Sequence, residues 1–161
     1  FSNRFHLNVS WFNIEWEDAQ VDSVTANGQL TITANAGGAE SQGIEIAMRA
    51  IVSDSLSTYL TFSNAEAELT EDAPGLFGLT GDTLPNGDRE TIDAFAGDRL
   101  SGAPRNQVAF GLDYQLEVWG GKLLDITYGL TYQSDLFTKV GLRDFGERIS
   151  GYTLHNIAAK L

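Results

Sequence analysis

GDRLSGAPRNQVAFGLDY, residues 97–114, changes character halfway along. Its first half is Gly, Pro and charge. From Val108 it alternates without a break. Val108, Phe110, Leu112 and Tyr114 fall on one side, and Gln107, Ala109, Gly111 and Asp113 on the other. A period of two residues is the signature of a β-strand, because successive side chains leave opposite faces of the pleat. This strand has one oily face and one small, polar face.

The same pattern recurs along the chain. Residues 5–16, FHLNVSWFNIEW, alternate as Phe5, Leu7, Val9 and Trp11, then as Phe12, Ile14 and Trp16 in the opposite phase; a bulge near Trp11 would reconcile the two halves. Ile44, Ile46, Met48 and Ala50 oppose Glu45, Ala47 and Arg49. Leu56, Thr58, Leu60 and Phe62 oppose Tyr59, Thr61 and Ser63. Leu124, Ile126, Tyr128, Leu130 and Tyr132 oppose Asp125, Thr127, Gly129, Thr131 and Gln133. A sixth, weaker alternation runs over GYTLHNIAAKL at the end of the chain. The predicted connections are long, short, long, short, long: 17–42, 53–55, 66–105, 118–121 and 136–150, the first with a small hairpin around Asn27-Gly28. In an up-and-down sheet this places every long connection at one end and both tight turns at the other. Transmembrane barrels of the outer-membrane type have that asymmetry.

Composition narrows the choice of class. The 161 residues carry 10 Lys and Arg against 22 Asp and Glu, a formal charge of -12. Such a balance opposes nucleic acid as a partner, whose phosphates demand basic side chains. There is no Cys, so disulfides and thiol chemistry are excluded. No apolar run approaches the roughly 20 residues of a spanning helix, which leaves barrels untouched. The chain starts at Phe1 with no signal peptide in view and is read as a piece of something longer.

Small polar residues on one face suit a wet lumen. Trp11, Trp16, Tyr114 and Tyr132, near strand ends on the oily face, suit a membrane boundary, where an apolar ring body and a polar tip are both satisfied. On pattern alone a β-sandwich with the oily faces turned inward stays open, and with it a soluble, secreted carbohydrate-type binding module.

Several phrases resemble the β-barrel of TonB-dependent outer-membrane receptors. FNIEWEDAQV (12–21) resembles the family's aromatic-x-Ile-x-Trp-x-Asp strand ending, and NAGGAESQGIEIAMRA (35–50) its "NAGKAESKGIELEL" signature, with Gly38 where Lys is commoner. NAEAEL (64–69) is similar to "YTDAEL", GDRLSGAPRNQ (97–107) to "G-x-x-LPGVPRHQ", and ISGYTLHNIAAKL (149–161) to "PGYTLVNARVGY". All five stand in the family's order and spacing. The resemblance implies an all-β, antiparallel up-and-down meander, about six strands of a 22-stranded transmembrane barrel, with residues 1–161 a partial barrel lacking the plug domain and the final strands. It implies an outer-membrane transport receptor for a scarce substrate, most often an iron–siderophore complex, energised by TonB through that plug.

On this reading Val108, Phe110, Leu112, Ile126, Tyr128 and Leu130 face lipid, and Glu45, Arg49, Asp113, Asp125 and Gln133 face the lumen. Phe77, Arg89, Phe95 and Arg99, on the long connection before the 97–114 strand, are the candidates for contact with a small-molecule chelate, often anionic and aromatic. Glu66, Glu68, Glu71 and Asp72 are clustered carboxylates of the kind that bind Ca²⁺, but they fit no EF-hand spacing, and plain surface charge is the preferred reading. His6 and His155 have no second ligand at metal spacing, so no metal or cofactor is expected. The Asn8 sequon falls within a strand and carries no weight. With no nucleophile elbow, phosphate loop or metalloprotease motif, the sequence does not read as an enzyme.

Overall fold

The computed structural model describes residues 4–24, 30–77, 79–83, 89–91, 93–143 and 146–161, with side chains described except at 24, 79–83 and 89–91. Its main body is one six-stranded antiparallel sheet. The strands are β1 (Phe5–Trp16), β4 (Ala39–Ser53), β5 (Leu56–Leu69), β8 (Asn106–Val118), β9 (Lys122–Gln133) and β12 (Tyr152–Lys160), and neighbours in the chain are neighbours in space. Three short hairpins sit inside the long connections: β2 (Gln20–Val24) with β3 (Thr31–Asn35), β6 (Leu79–Thr83) with β7 (Arg89–Thr91), and β10 (Leu136–Phe137) with β11 (Arg148–Ile149). The first is the hairpin expected around Asn27-Gly28, although those two residues lie outside the described set.

The tight turns close as the residue types require. Asp54 and Ser55 join β4 to β5, with a register irregularity between Ile51 and Ser53. Trp119, Gly120 and Gly121 join β8 to β9, and both glycines are left-handed (φ 76° and 73°), a conformation that costs a residue with a Cβ. Pro104 stands just ahead of β8, where its missing N–H breaks no ladder bond.

One expectation fails in an informative way. No bulge interrupts β1: its pairing with β4 runs without a shift from Phe5↔Ala50 to Trp16↔Ala39. The strand is straight, so Phe12, Ile14 and Trp16 lie on the face opposite Leu7, Val9 and Trp11. Trp16 is therefore not on the oily face with Trp11. The neighbouring strands invert at the same level. Below it, the rows Val9–Ile46–Phe62–Val108–Tyr132 and Leu7–Met48–Leu60–Phe110–Leu130 line the oily face. Above it, the same face carries Asn13–Gln42–Glu66 and Glu15–Glu40–Glu68. The opposite face inverts in step, with Phe12–Gly43–Ala65 and Trp16–Ala39–Leu69 in place of Asn8–Ala47–Thr61. What changes is the surroundings of each face, not the backbone.

The core confirms this. Among the described residues the buried apolar side chains are Ala36, Ala39, Ala67, Leu69, Ala73, Leu76, Phe77, Ala94 and Val140. All belong to the long connections or to the strand ends that meet them. None lies in the middle of the sheet, where Phe110, Ile126 and Leu130 stay half-buried against their own neighbours. A sandwich needs a second layer over these residues, and among the described residues none covers them.

Candidate functional site

Two surfaces meet at the end of the sheet that carries the long connections. The first is the polar face. It is concave, and an open cavity of about 410 Å³ crosses five strands on that side, lined by Ser10, Glu45, Thr61, Gln107, Thr131 and Gln133 among others. Neighbouring strands tie this face together. Thr127 Oγ1 donates to Asp113 (3.1 Å) and Gln115 donates to Asp125 (2.8 Å). The Tyr152 hydroxyl reaches Gln133 at 3.5 Å. Glu45 sits between Ser10 and Ser63, and Arg49 between His6 and Tyr59; among the described residues neither belongs to an ion pair. In the row of Arg49, Gly111 and Gly129 stand directly opposite each other, and the Tyr59 ring lies over Gly111, filling the place where a Cβ would project.

The oily face is continuous over Val108, Phe110, Leu112, Ile126, Tyr128 and Leu130. Phe110 and Tyr128 are diagonal neighbours with ring centroids 6.2 Å apart and planes inclined at 59°, a favourable tilted contact. Tyr128 carries a polar tip on this surface, and His155 is its partner: the hydroxyl lies 2.7 Å from Nδ1. His155 is thus a partner for a tyrosine on the oily face, whereas His6 lines the concave side beside Arg49.

The second surface is the folded cap made by the three long connections, and it redistributes the residues expected to meet a ligand. Phe77 is 1% exposed and sits at the centre of the cap's core. Arg99 is 9% exposed and bound on several sides: NH2 donates to the carbonyls of Ala103 (2.6 Å) and Asp135 (2.7 Å), NH1 reaches the Asp135 carboxylate at 3.3 Å, and the guanidinium lies 4.8 Å from the centre of the Phe137 ring. A ligand reaches either side chain only if the cap opens. Arg89 belongs to β7, and its side chain lies outside what the structure describes. Of the three whose side chains are described, Phe95 alone presents an open surface. Arg143 stacks on it at 4.8 Å while holding Asp98 through two nitrogens, at 3.0 and 3.2 Å.

The acidic residues are spread over different tasks. Glu66 pairs with Arg105 (2.6 Å). Glu71 accepts the Gly38 N–H (2.5 Å) and Asp72 that of Ala96 (2.9 Å). Glu68 lies in the outer row with Glu15 and Glu40. Among the described residues no three acidic or imidazole groups are placed to hold a metal ion. Asp135 was missed in the sequence. It receives Arg148 Nε at 3.0 Å and faces Arg99 as well. The hydrogen bond from Arg148, with the charges of both arginines, holds its carboxyl below the ordinary aspartate range against an opposing desolvation effect. The signal was faint: Arg99 and Asp135 are 36 residues apart, and only folding unites them.

A curved antiparallel meander with an uncovered oily face, a polar concave face and every long connection at one end is a wall segment of a transmembrane β-barrel. The chain belongs to the TonB-dependent receptor-like β-barrel family, whose profile matches residues 1–161 throughout. These are barrels of the outer membrane of Gram-negative bacteria, and transport receptors rather than enzymes. Two solved structures share the fold. The ferric yersiniabactin uptake receptor FyuA of Yersinia pestis matches with TM-score 0.67 and 15% identity, and the siderophore receptor PiuA of Acinetobacter baumannii with TM-score 0.63 and 15% identity. In each comparison 99% of this chain covers 20% of the other, so the chain spans about a fifth of the length of the receptors it resembles. No curated protein matches the chain closely in sequence.

Proposed function

We propose that this chain is part of the wall of an active-transport receptor that imports a scarce substrate, an iron–siderophore complex being the leading candidate. The observation that carries this reading is the family match along the whole chain. The likeness to FyuA and PiuA, a ferric yersiniabactin uptake receptor and a siderophore receptor, favours an iron chelate over vitamin B12, haem, nickel chelates or oligosaccharides. Residues 1–161 then form about six of 22 strands. A plug domain outside this stretch couples the receptor to TonB.

Physical chemistry assigns the faces. In hydrocarbon every backbone N–H and C=O must be paired, which the ladder from β1 to β12 achieves once the barrel is closed. Val108, Phe110, Leu112, Ile126, Tyr128 and Leu130 belong against lipid, at depths where a charge costs ~2–4 kcal/mol. Glu45, Arg49, Asp113, Asp125 and Gln133 belong in the lumen, beside the plug. The cap lies over the lumen, and Phe95 with Arg143 is its exposed aromatic and cationic pair for a chelate to meet.

The test is growth of a strain lacking the parent gene under iron limitation, with single ferric chelates supplied in turn. The proposal expects growth to fail on one chelate, and uptake of that chelate by wild type to stop when the inner-membrane proton gradient is collapsed. Normal growth on every iron source, with a defect on cobalamin or an oligosaccharide instead, would remove iron from the reading and leave the transport receptor.

A further inference from the structure

We infer that the described parts of the three long connections, which lie within residues 17–38, 70–105 and 134–151, open and close as one cooperative unit rather than as three independent loops. The reason is that, among the described residues, the buried apolar side chains of the three connections fall in a single cluster. Ala36 from the first, Ala73, Leu76, Phe77 and Ala94 from the second, and Val140 from the third form one cluster, seated on Ala39 and Leu69 at the ends of β4 and β5. Val140 is fully buried and is, among the described residues, the third connection's one member of that cluster. The other members of that cluster belong to the first two connections and to the ends of β4 and β5. Lifting the third connection alone would expose Val140 and leave a hole beside its neighbours, and both effects oppose such a motion.

Hydrogen bonds run across the same seams. Between the first and second connections, Thr70 N–H donates to Gly38 O (3.0 Å), Gly38 N–H to Glu71 (2.5 Å), and the buried Ser23 hydroxyl to Leu76 O. Between the second and third, Gly102 N–H donates to Phe137 O (2.8 Å), Gly141 N–H to Arg99 O (2.9 Å), and Arg143 to Asp98. Opening one connection breaks bonds held by another. The sheet below is tied to this cluster through strand ends only, so the boundary of the cooperative unit falls there. A ligand that quiets any one connection therefore quiets all three, without needing to touch each.

Hydrogen exchange on the full-length receptor in detergent micelles, without substrate, tests this whether or not the substrate reading holds. Three amides report on the three connections: Ala36, bonded to Ala19 O; Ala73, bonded to Ala94 O; and Gly141, bonded to Arg99 O. Val140→Ala should speed exchange at all three by a common factor, roughly tenfold or more, and leave Phe110 and Leu130 in mid-sheet unchanged. Phe77→Ala should do the same by a larger common factor; should it prevent folding, Val140→Ala carries the test alone. Acceleration at Gly141 only, with Ala36 and Ala73 at their former rates, would overturn the inference. So would acceleration that reaches Phe110 and Leu130 equally.

Discussion

The middle of the sheet and its capped end are built from the same strands, yet they bury opposite things. In the middle, the oily side chains point away from the curve and the polar ones into it. Past Trp11 and Phe12 the arrangement reverses: Glu15, Glu40 and Glu68 take the outer side, while Trp16, Ala39 and Leu69 take the inner one. The pairing of β1 with β4 continues unbroken through the change. On the proposed reading side-chain polarity follows the local solvent, hydrocarbon below and water above, while the strand pairing stays the same. The end supplies its own core, whereas the middle has none and, on the proposed reading, takes its cover from a membrane.

That contrast can be broken from either side. The largest effect belongs to the capped end. Phe77→Ala empties the centre of its core, at a cost of about 3–5 kcal/mol; limited proteolysis of receptor in intact cells should then cut the long connections while the barrel remains folded. Resistance equal to wild type would mean that Phe77 is not the keystone. In the middle, Leu112→Arg or Ile126→Arg should cost ~2–4 kcal/mol and block assembly, read as loss of the heat-modifiable folded band in outer-membrane fractions. Asp113→Arg, one residue away on the other face, should assemble nearly as wild type. If the two faces respond alike, the division between them fails.

Smaller effects sharpen the picture. Arg99→Ala strips a buried guanidinium from two carbonyls and Asp135, a loss of roughly 2 kcal/mol confined to the cap. Denaturation followed by a fluorophore on the third connection should show it, with the strands unaffected. Gly111→Ala drives a methyl group into the Tyr59 ring. It should lower barrel stability by about 1 kcal/mol, and less when combined with Tyr59→Ala, because the ring is then gone. Additive losses in that cycle would show that the ring does not pack on the glycine.

The smallest effect is that of pH on Asp135. Its carboxyl is held below the ordinary aspartate value by Arg148 and Arg99. A depressed value means that the folded state favours the ionised form. The contribution is therefore complete above about pH 4, the unfolded aspartate range, and fades as pH falls through the lower folded value. Exchange at Gly141 relative to that at mid-sheet amides should stay constant from pH 7 to about pH 4 and rise below it. A rise already near pH 6 would point to some other group.

The six long strands were legible because period-two alternation depends only on which residues face which side, and Val108 to Tyr114 displays it plainly. The inversion in β1 was visible as a change of phase, but a bulge explained it equally well, since sequence carries no mark of where the solvent changes. The cap was not legible. Phe77 and Arg99 look like exposed loop residues until the chain brings Val140 and Asp135 to them from far along the sequence. No periodicity signals a core assembled from three irregular segments. The short hairpins β6–β7 and β10–β11 went unseen for the same reason.

The straightness of β1 through the change of solvent has a further consequence. With the oily face against lipid as proposed, the position of the switch sets how deep the molecule floats. A strand rises about 3.3 Å per residue and leans at about 45° in such barrels, so moving the switch by two residues would lift or sink the entire wall by about 5 Å. Trp11 and Phe12, adjacent in sequence and pointing opposite ways, act as the waterline painted on the hull.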